Sequence, residues 1–464
     1  MRRQNDLGKD PIPSLVLKLA IPSMIAQFVN ILYSIIDRIY IGNIPETGAL
    51  ALAGVGVCGP IVTLLSSFGT LVGLGGSILV AMRMGEKNQK QAEKILANSF
   101  VLLVIFSAVL TILFLIFKNR LLMCFGASET TFPYANTYLS IYTIGTFFAL
   151  MAMGLNYFIT CQGYSTIGMV TVLLGAVTNI VLDPVFIFLL HMDTAGAAIA
   201  TVISQMVSCL FAAGFLLSKR PPVRITFGGY SLSICRRILS IGISPFLILA
   251  TDSVIIIIMN SVLQRAGGTD GDLLIASATI VQSFLSLITG PMLGISSGTQ
   301  AIISYNYGAN LAGRIKQAEK NILILCLIFT TLMFIVSRIF PYYFVRVFTS
   351  SPEHIELSVW GIKAITLAVI PLSFQYCLVD CLTALGCTKI SLSLSLFRKS
   401  LYTSFVIIFA FAFQAKTSFF AEPASDLIAS AMSTAAFLLV FKKHLEKRNK
   451  QIEASENKSA AVQN

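Results

Sequence analysis

Twelve stretches of the chain are almost wholly apolar, separated by short polar breaks: 15–41, 50–82, 96–117, 134–158, 166–190, 194–217, 236–263, 274–305, 319–340, 357–384, 390–413 and 421–441. Their lengths suit α-helices that cross a bilayer, which take about 20 residues each. They exceed the roughly 9–11 residues of a barrel strand. Because hydrocarbon offers no water, each run must satisfy its own backbone, so the pattern predicts an all-α polytopic membrane protein with twelve transmembrane helices. The longest break, Lys219 to Ser233, carries Pro221-Pro222 and Gly228-Gly229 and divides the spans six and six. It predicts a six-helix lobe over 1–218, a cytoplasmic linker over 219–235 and a second six-helix lobe over 236–441. The polar tail over 442–464 reads as a short helical extension followed by disorder.

Composition narrows the class. Of 464 residues 56% are hydrophobic and 12% charged, against about 45–50% and about 25% in soluble domains. Soluble globular classes are excluded, and little chain remains for a catalytic domain outside the membrane. The net charge of +12 does not point to nucleic acid, since the basic residues lie between apolar runs and form no basic, aromatic-laced face. With both termini cytoplasmic, the inner segments hold 25 Lys and Arg, among them Arg2, Arg3, Arg83, Lys87, Arg314, Arg398 and Lys399. The outer segments hold 7. That bias obeys the positive-inside rule and predicts a multi-pass protein of the cell (inner or plasma) membrane, its charge touching anionic lipid heads. The nine cysteines include no CxxC pair and read as buried small hydrophobes. Residues 1–13 are polar and the run after them is too long for a cleavable signal.

The chain also repeats itself. An offset of 223 residues aligns Pro22 with Pro245, Gly85 with Gly308 and Gly163 with Gly386. The pentapeptide KQAEK recurs at 90–94 and 316–320, an offset of 226 that implies a three-residue insertion in the second loop. Six spans per repeat keep both halves in the same orientation, so they should be parallel repeats about an axis along the membrane normal, a pseudo-two-fold suited to alternating access.

Carboxylates inside the runs are few: Asp37, Asp183, Asp252, Asp380, Glu422 and Asp426. Each costs about 2.5–3.5 kcal/mol at a helix centre, so each needs a reason, either helix pairing or function. Tyr33 lies one turn before Asp37 in span 1, and Asn179 one turn before Asp183 in span 5. Pro184 removes a backbone donor and frees the carbonyl of residue 180; Pro22 and Pro245 should kink spans 1 and 7. Oxygens of Asp, Asn, Tyr and Thr form a hard set suited to protons or Na⁺.

The strings PSMIAQFVNILYSIIDRIYIGN, VGLGGSILVAMRMGEKNQKQAEK, NYFITCQGYSTIGMV, NIVLDPVFIF, GAAIATVISQ, GISSGTQAIISYNYGANLAGRIKQAEK and ALGCTKISLSLSLFRK, in that order, resemble the MATE family of multidrug and toxin extrusion antiporters over nearly the whole chain. The resemblance implies a prokaryotic-type antiporter that exports amphiphilic, mainly cationic drugs or metabolites, coupled to H⁺ and/or Na⁺ and without a cofactor. It implies a cation site in the first lobe at Tyr33, Asp37, Asn179, Asp183 and Thr201, with Tyr138 and Asn156 from span 4, and a Na⁺ ligand set of Asp37, Asn179, Asp183 and Thr201. Asp252 and Asp380 fall off the positions of the family's second-lobe acids; with Gln282 and Gln300 they are candidates for the substrate cavity. The expected partners are small organic molecules and membrane lipids, and the expected state is a monomer.

A lipid-linked oligosaccharide flippase of the same superfamily is the alternative, but such proteins carry a basic cavity, whereas the intramembrane charges here read as acidic. A channel or a structural membrane protein leaves the asymmetric acidic pair unexplained. No HExxH, GxSxG or paired-Asp motif suggests an enzyme, and His191, His354 and His444 fall in loops or the tail.

Overall fold

The computed structural model describes the backbone at 5–268 and 271–463. Arg2 and Arg3 lie outside the described residues, as do the side chains of Lys447 and Lys458. Among the described residues eleven helices are long and apolar enough to cross a membrane, and twelve when one bent pair counts as a single span. In chain order span 1 is Ile12–Gly42, span 2 Gly48–Gly85 and span 3 Gln89–Cys124. Span 4 joins Phe132–Ile144 to Thr146–Thr160, span 5 is Ser165–Pro184 with a π turn at Val185–Leu189, and span 6 is Asp193–Leu217. Span 7 is Leu232–Gly267, span 8 Gly271–Gly308 and span 9 Ala312–Ile339. Span 10 joins Pro352–Ile365 to Val369–Ala384, span 11 is Thr388–Ala412 and span 12 runs from Ala421.

The apolar runs thus locate every span but miss three interruptions. Span 4 bends by 56° at Gly145, where a Cβ would overlap Val202 of span 6. Span 10 breaks at the matching place, through a 3₁₀ turn at Thr366–Ala368. Pro184 ends the α-helical part of span 5, and the following turn widens to π geometry, the adjustment expected where a missing N–H leaves a carbonyl without its donor. Pro22 and Pro245 each sit inside an unbroken helix. The tail departs from expectation: helix continues without a break to Gln463.

Helix packing reproduces the repeat. Within the first lobe span 1 packs on span 5, span 2 on spans 3 and 4, and span 6 on spans 4 and 5. Within the second, span 7 packs on span 11, span 8 on spans 9 and 10, and span 12 on spans 10 and 11. Between lobes span 2 lies along span 7, span 8 lies along span 1, and spans 2 and 8 cross. Exchanging the halves maps these contacts onto one another, and the crossing of spans 2 and 8 onto itself.

The turns agree to the residue. Lys87 and Asn310 both take left-handed backbone, as do Gly163 and Gly386. Asn88 N–H donates to the Arg83 carbonyl at 2.9 Å, and Leu311 N–H to the Asn306 carbonyl at 2.9 Å. All of these pairs are 223 apart, and so are the starts of spans 3 and 9, which removes the insertion inferred from KQAEK. The two pentapeptides are three residues out of structural register; the counterpart of Glu319 is the core residue Leu96.

The basic end of the bundle is where the lobes close on each other. A Cβ on Gly85 would overlap the Tyr305 carbonyl, one on Gly308 the Met82 carbonyl, and one on Gly242 the Leu71 carbonyl. Asn306 Nδ2 donates to the Leu7 carbonyl at 3.0 Å, Arg314 Nη2 to the Asp10 carbonyl at 2.8 Å, and Asn5 Nδ2 to the Gly163 carbonyl at 3.0 Å, so the amino-terminal segment ties both lobes together. The segment between spans 6 and 7 is held to the first lobe: Val223 N–H donates to Gln162 Oε1 at 2.9 Å and Ser231 N–H to Asn98 Oδ1 at 2.9 Å.

Candidate cation site and second-lobe charges

Four spans of the first lobe converge on one buried polar pocket. Span 1 brings Tyr33 and Asp37, span 4 brings Tyr138, span 5 brings Asn179 and Asp183, and span 6 brings Thr201. Asn179 Nδ2 donates to Asp183 Oδ1 at 3.2 Å and approaches Thr201 Oγ1 at 3.5 Å. The Asp37 carboxyl faces that of Asp183, and Tyr33 packs beside both. The Tyr138 hydroxyl meets Thr201. Asn179 and Asp183 are 0% exposed.

Acceptors in this pocket outnumber donors. Asp37 Oδ1, Asn179 Oδ1 and Asp183 Oδ2 are all buried without a hydrogen-bond partner. Buried polar atoms are nearly always satisfied, and two facing carboxylates repel unless something positive lies between them. Arg38 makes no ion pair with Asp37 among the described residues. A proton or a Na⁺ ion fits this donor set: hard, oxygen-only and anionic.

Asn156 does not join the cluster. Its amide Nδ2 donates to the Gly168 carbonyl at 3.2 Å, near the start of span 5; Asp183 lies fifteen residues further on, about 22 Å at 1.5 Å per residue. Two residues absent from the sequence reading do belong. Tyr142 stacks on Tyr138 with ring centroids 6.3 Å apart, and Gln205 Nε2 donates to its hydroxyl at 3.3 Å. The signal was available: Tyr142 is one turn beyond Tyr138, and Gln205 one turn beyond Thr201.

Among the described side chains the second lobe does not repeat this pocket. At the 223-residue offset Tyr33, Tyr138, Asn179 and Asp183 become Ile256, Gly361, Tyr402 and Val406. It carries a different set of charges, and the expectation of purely acidic intramembrane charge fails there. Arg398 and Lys399 lie inside span 11, not in a loop. Arg398 Nε donates to Asp426 Oδ1 at 2.7 Å and Nη2 to Glu422 Oε1 at 2.6 Å, with its guanidinium 5.8 Å from the Tyr376 ring centroid. Lys399 pairs with Asp252 of span 7. Asp252 is therefore a neutralised charge. Asp380 of span 10 accepts from Ser296 of span 8 at 2.5 Å, beside Gln300, and lies near Tyr157 of span 4. Gln282 is half-buried on span 8, away from that cluster.

Two six-span lobes related by a pseudo-two-fold, closed at one end, with an asymmetric buried acidic pocket, define a membrane transporter. Comparison with known proteins makes this specific. The MatE family model matches twice, at residues 22–185 and 246–408, one match per lobe, and the chain belongs to that family of multidrug efflux transporters. It is a multi-pass membrane transporter and not an enzyme. Among curated proteins it is 25% identical over 351 residues to the multidrug export protein MepA of Staphylococcus haemolyticus, covering 75% of this chain and 76% of that one. It is 24% identical over 358 residues to MepA of Staphylococcus aureus, covering 76% and 78%. Among solved structures, the outward-facing conformation of a multidrug resistance MATE family transporter of the MOP superfamily superposes with a TM-score of 0.89 at 23% identity, over 96% of this chain and all of that one. A MOP superfamily transporter from Pyrococcus furiosus, described as having a binding pocket of reverse polarity, superposes with a TM-score of 0.88 at 23% identity, over 96% and 99%. These structural likenesses speak for the fold.

Proposed function

We propose that the protein is a cation-coupled antiporter that exports amphiphilic, mainly cationic small molecules by alternating access, with Asp37 and Asp183 as its coupling site. The observation that carries this is the surplus of buried acceptor oxygens at Asp37, Asn179 and Asp183. A proton or Na⁺ entering the pocket joins spans 1 and 5 across the two carboxylates, and its loss restores their repulsion. Because span 1 packs both on span 5 and on span 8 of the other lobe, a shift of span 1 is felt where the lobes meet.

The energetics suffice. Moving one charge through a potential of about 150 mV supplies about 3.5 kcal/mol, enough for a concentration ratio of a few hundred. With the termini cytoplasmic, as the distribution of Lys and Arg supports, the closed end of this conformation is the cytoplasmic end, and cargo faces outward. The MepA relatives, named as multidrug exporters, support efflux over the flippase alternative.

Direct binding tests the site: radiolabelled Na⁺ binding and proton release are measured on purified protein. Asp183→Asn should abolish whichever of the two signals the wild type gives. Retention of the full signal overturns the assignment.

A further inference from the structure

Among the described residues, one further carboxyl outside the first-lobe pocket is buried with no cation paired to it. Glu319 of span 9 is 6% exposed, and the polar group against its carboxyl is the Cys381 thiol, a weak donor. Its place in the repeat explains the burial: it occupies the position of Leu96, which is 0% exposed in the first lobe. Where one half has a core leucine, the other has an acid.

The titratable groups beside Glu319 come from span 10: Cys377, Cys381 and Asp380, with Cys326 of its own span against Cys377. None is a cation. Thiols are weak donors, and a lone carboxylate among them is strongly unfavourable, whereas the neutral acid is tolerated. Asp380, beside Glu319, is less buried and lies near Tyr157 of the opposite lobe. Gln300 completes the cluster; it is 3% exposed and lies beside Asp380. Among the described residues no group of acids, cysteines and histidines is arranged to hold a metal ion. The cluster suits a proton.

We propose that Glu319 is a proton-carrying group of the second lobe, loaded from between the lobes through Asp380. A proton from water binds the partly buried Asp380 carboxylate and passes to the ionised Glu319, leaving Asp380 ionised and hydrogen-bonded by Ser296. This is separate from coupling at Asp37 and Asp183 and adds a second titrating site, near the basic end of the bundle, away from the first-lobe pocket.

The test is infrared spectroscopy of purified protein labelled with ¹³C-glutamate, without cargo or gradient, so its outcome does not depend on how Asp37 and Asp183 act. The unlabelled wild type should show, above neutral pH, a protonated-carboxyl band that shifts with the label. Absence of a label-sensitive band in the wild type overturns the proposal, and that arm needs no variant to fold. Glu319→Gln should remove the band; a band that survives this substitution also overturns it. Because the native group is a neutral acid, Glu319→Gln should move the melting temperature by no more than a few degrees. After a pH jump, Asp380→Asn should slow the change of the Glu319 band at least tenfold, and an unchanged rate overturns the loading route.

Discussion

Gly85 and Gly308 stand in a reciprocal relation: each packs against the carbonyl three residues before the other, Gly85 on Tyr305 and Gly308 on Met82. Spans 2 and 8 cross there with no room for a side chain, and the crossing holds the two lobes together at the basic end of the bundle. In the mechanism proposed above, this contact must open for cargo to be loaded.

Gly85→Ala or Gly308→Ala should therefore force the lobes apart at this end. Spin labels at the exposed positions 90 and 317 should report a longer mean separation in either variant, and cargo export should fall about tenfold. An unchanged separation would show that the crossing is not a gate.

Arg398→Met leaves Glu422 and Asp426 buried without their cation, and breaking a buried ionic group in this way costs about 3–5 kcal/mol. A large loss of thermal stability is expected in detergent. The triple replacement Arg398→Met, Glu422→Gln, Asp426→Asn removes all three charges together and should recover most of it. If the triple variant is as unstable as the single one, the network does more than balance charge.

Much of the fold was legible because spans are set by hydropathy and the repeat by a few residues that cannot be replaced where backbones touch. Gly85 and Gly308 meet at a crossing, and Gly163 and Gly386 occupy left-handed turns. The breaks at Gly145 and at Thr366–Ala368 leave hydropathy unchanged, so no apolar run reveals them. The first-lobe site was legible for Tyr33, Asp37, Asn179 and Asp183 because one-turn spacing puts each pair on one helix face. Asn156 looked equivalent only while the distance along span 5 was ignored. Arg398 and Lys399 were counted with a loop because basic residues ordinarily flank spans; their partners Asp426, Glu422 and Asp252 lie on other helices. Glu319 was hidden by the KQAEK match, which suggested loop chemistry in a register the backbone does not keep.

Pro184→Ala restores an N–H toward the carbonyl of residue 180 and removes the cause assigned to the π turn at Val185–Leu189. Regular helix would rotate the end of span 5 relative to Asp183. Apparent affinity for the coupling cation should drop about tenfold while membrane insertion is kept. A variant with wild-type cation dependence would separate the proline from the site.

The most direct test of the coupling site is uptake of a fluorescent organic cation into proteoliposomes under separately imposed pH and Na⁺ gradients, for the wild type, Asp37→Asn and Asp183→Asn. The wild type should concentrate the cation only when one of the gradients is present. Both variants should reconstitute normally yet lose gradient-driven accumulation at least tenfold. Undiminished accumulation in both would contradict the assignment of these two carboxyls as the coupling site.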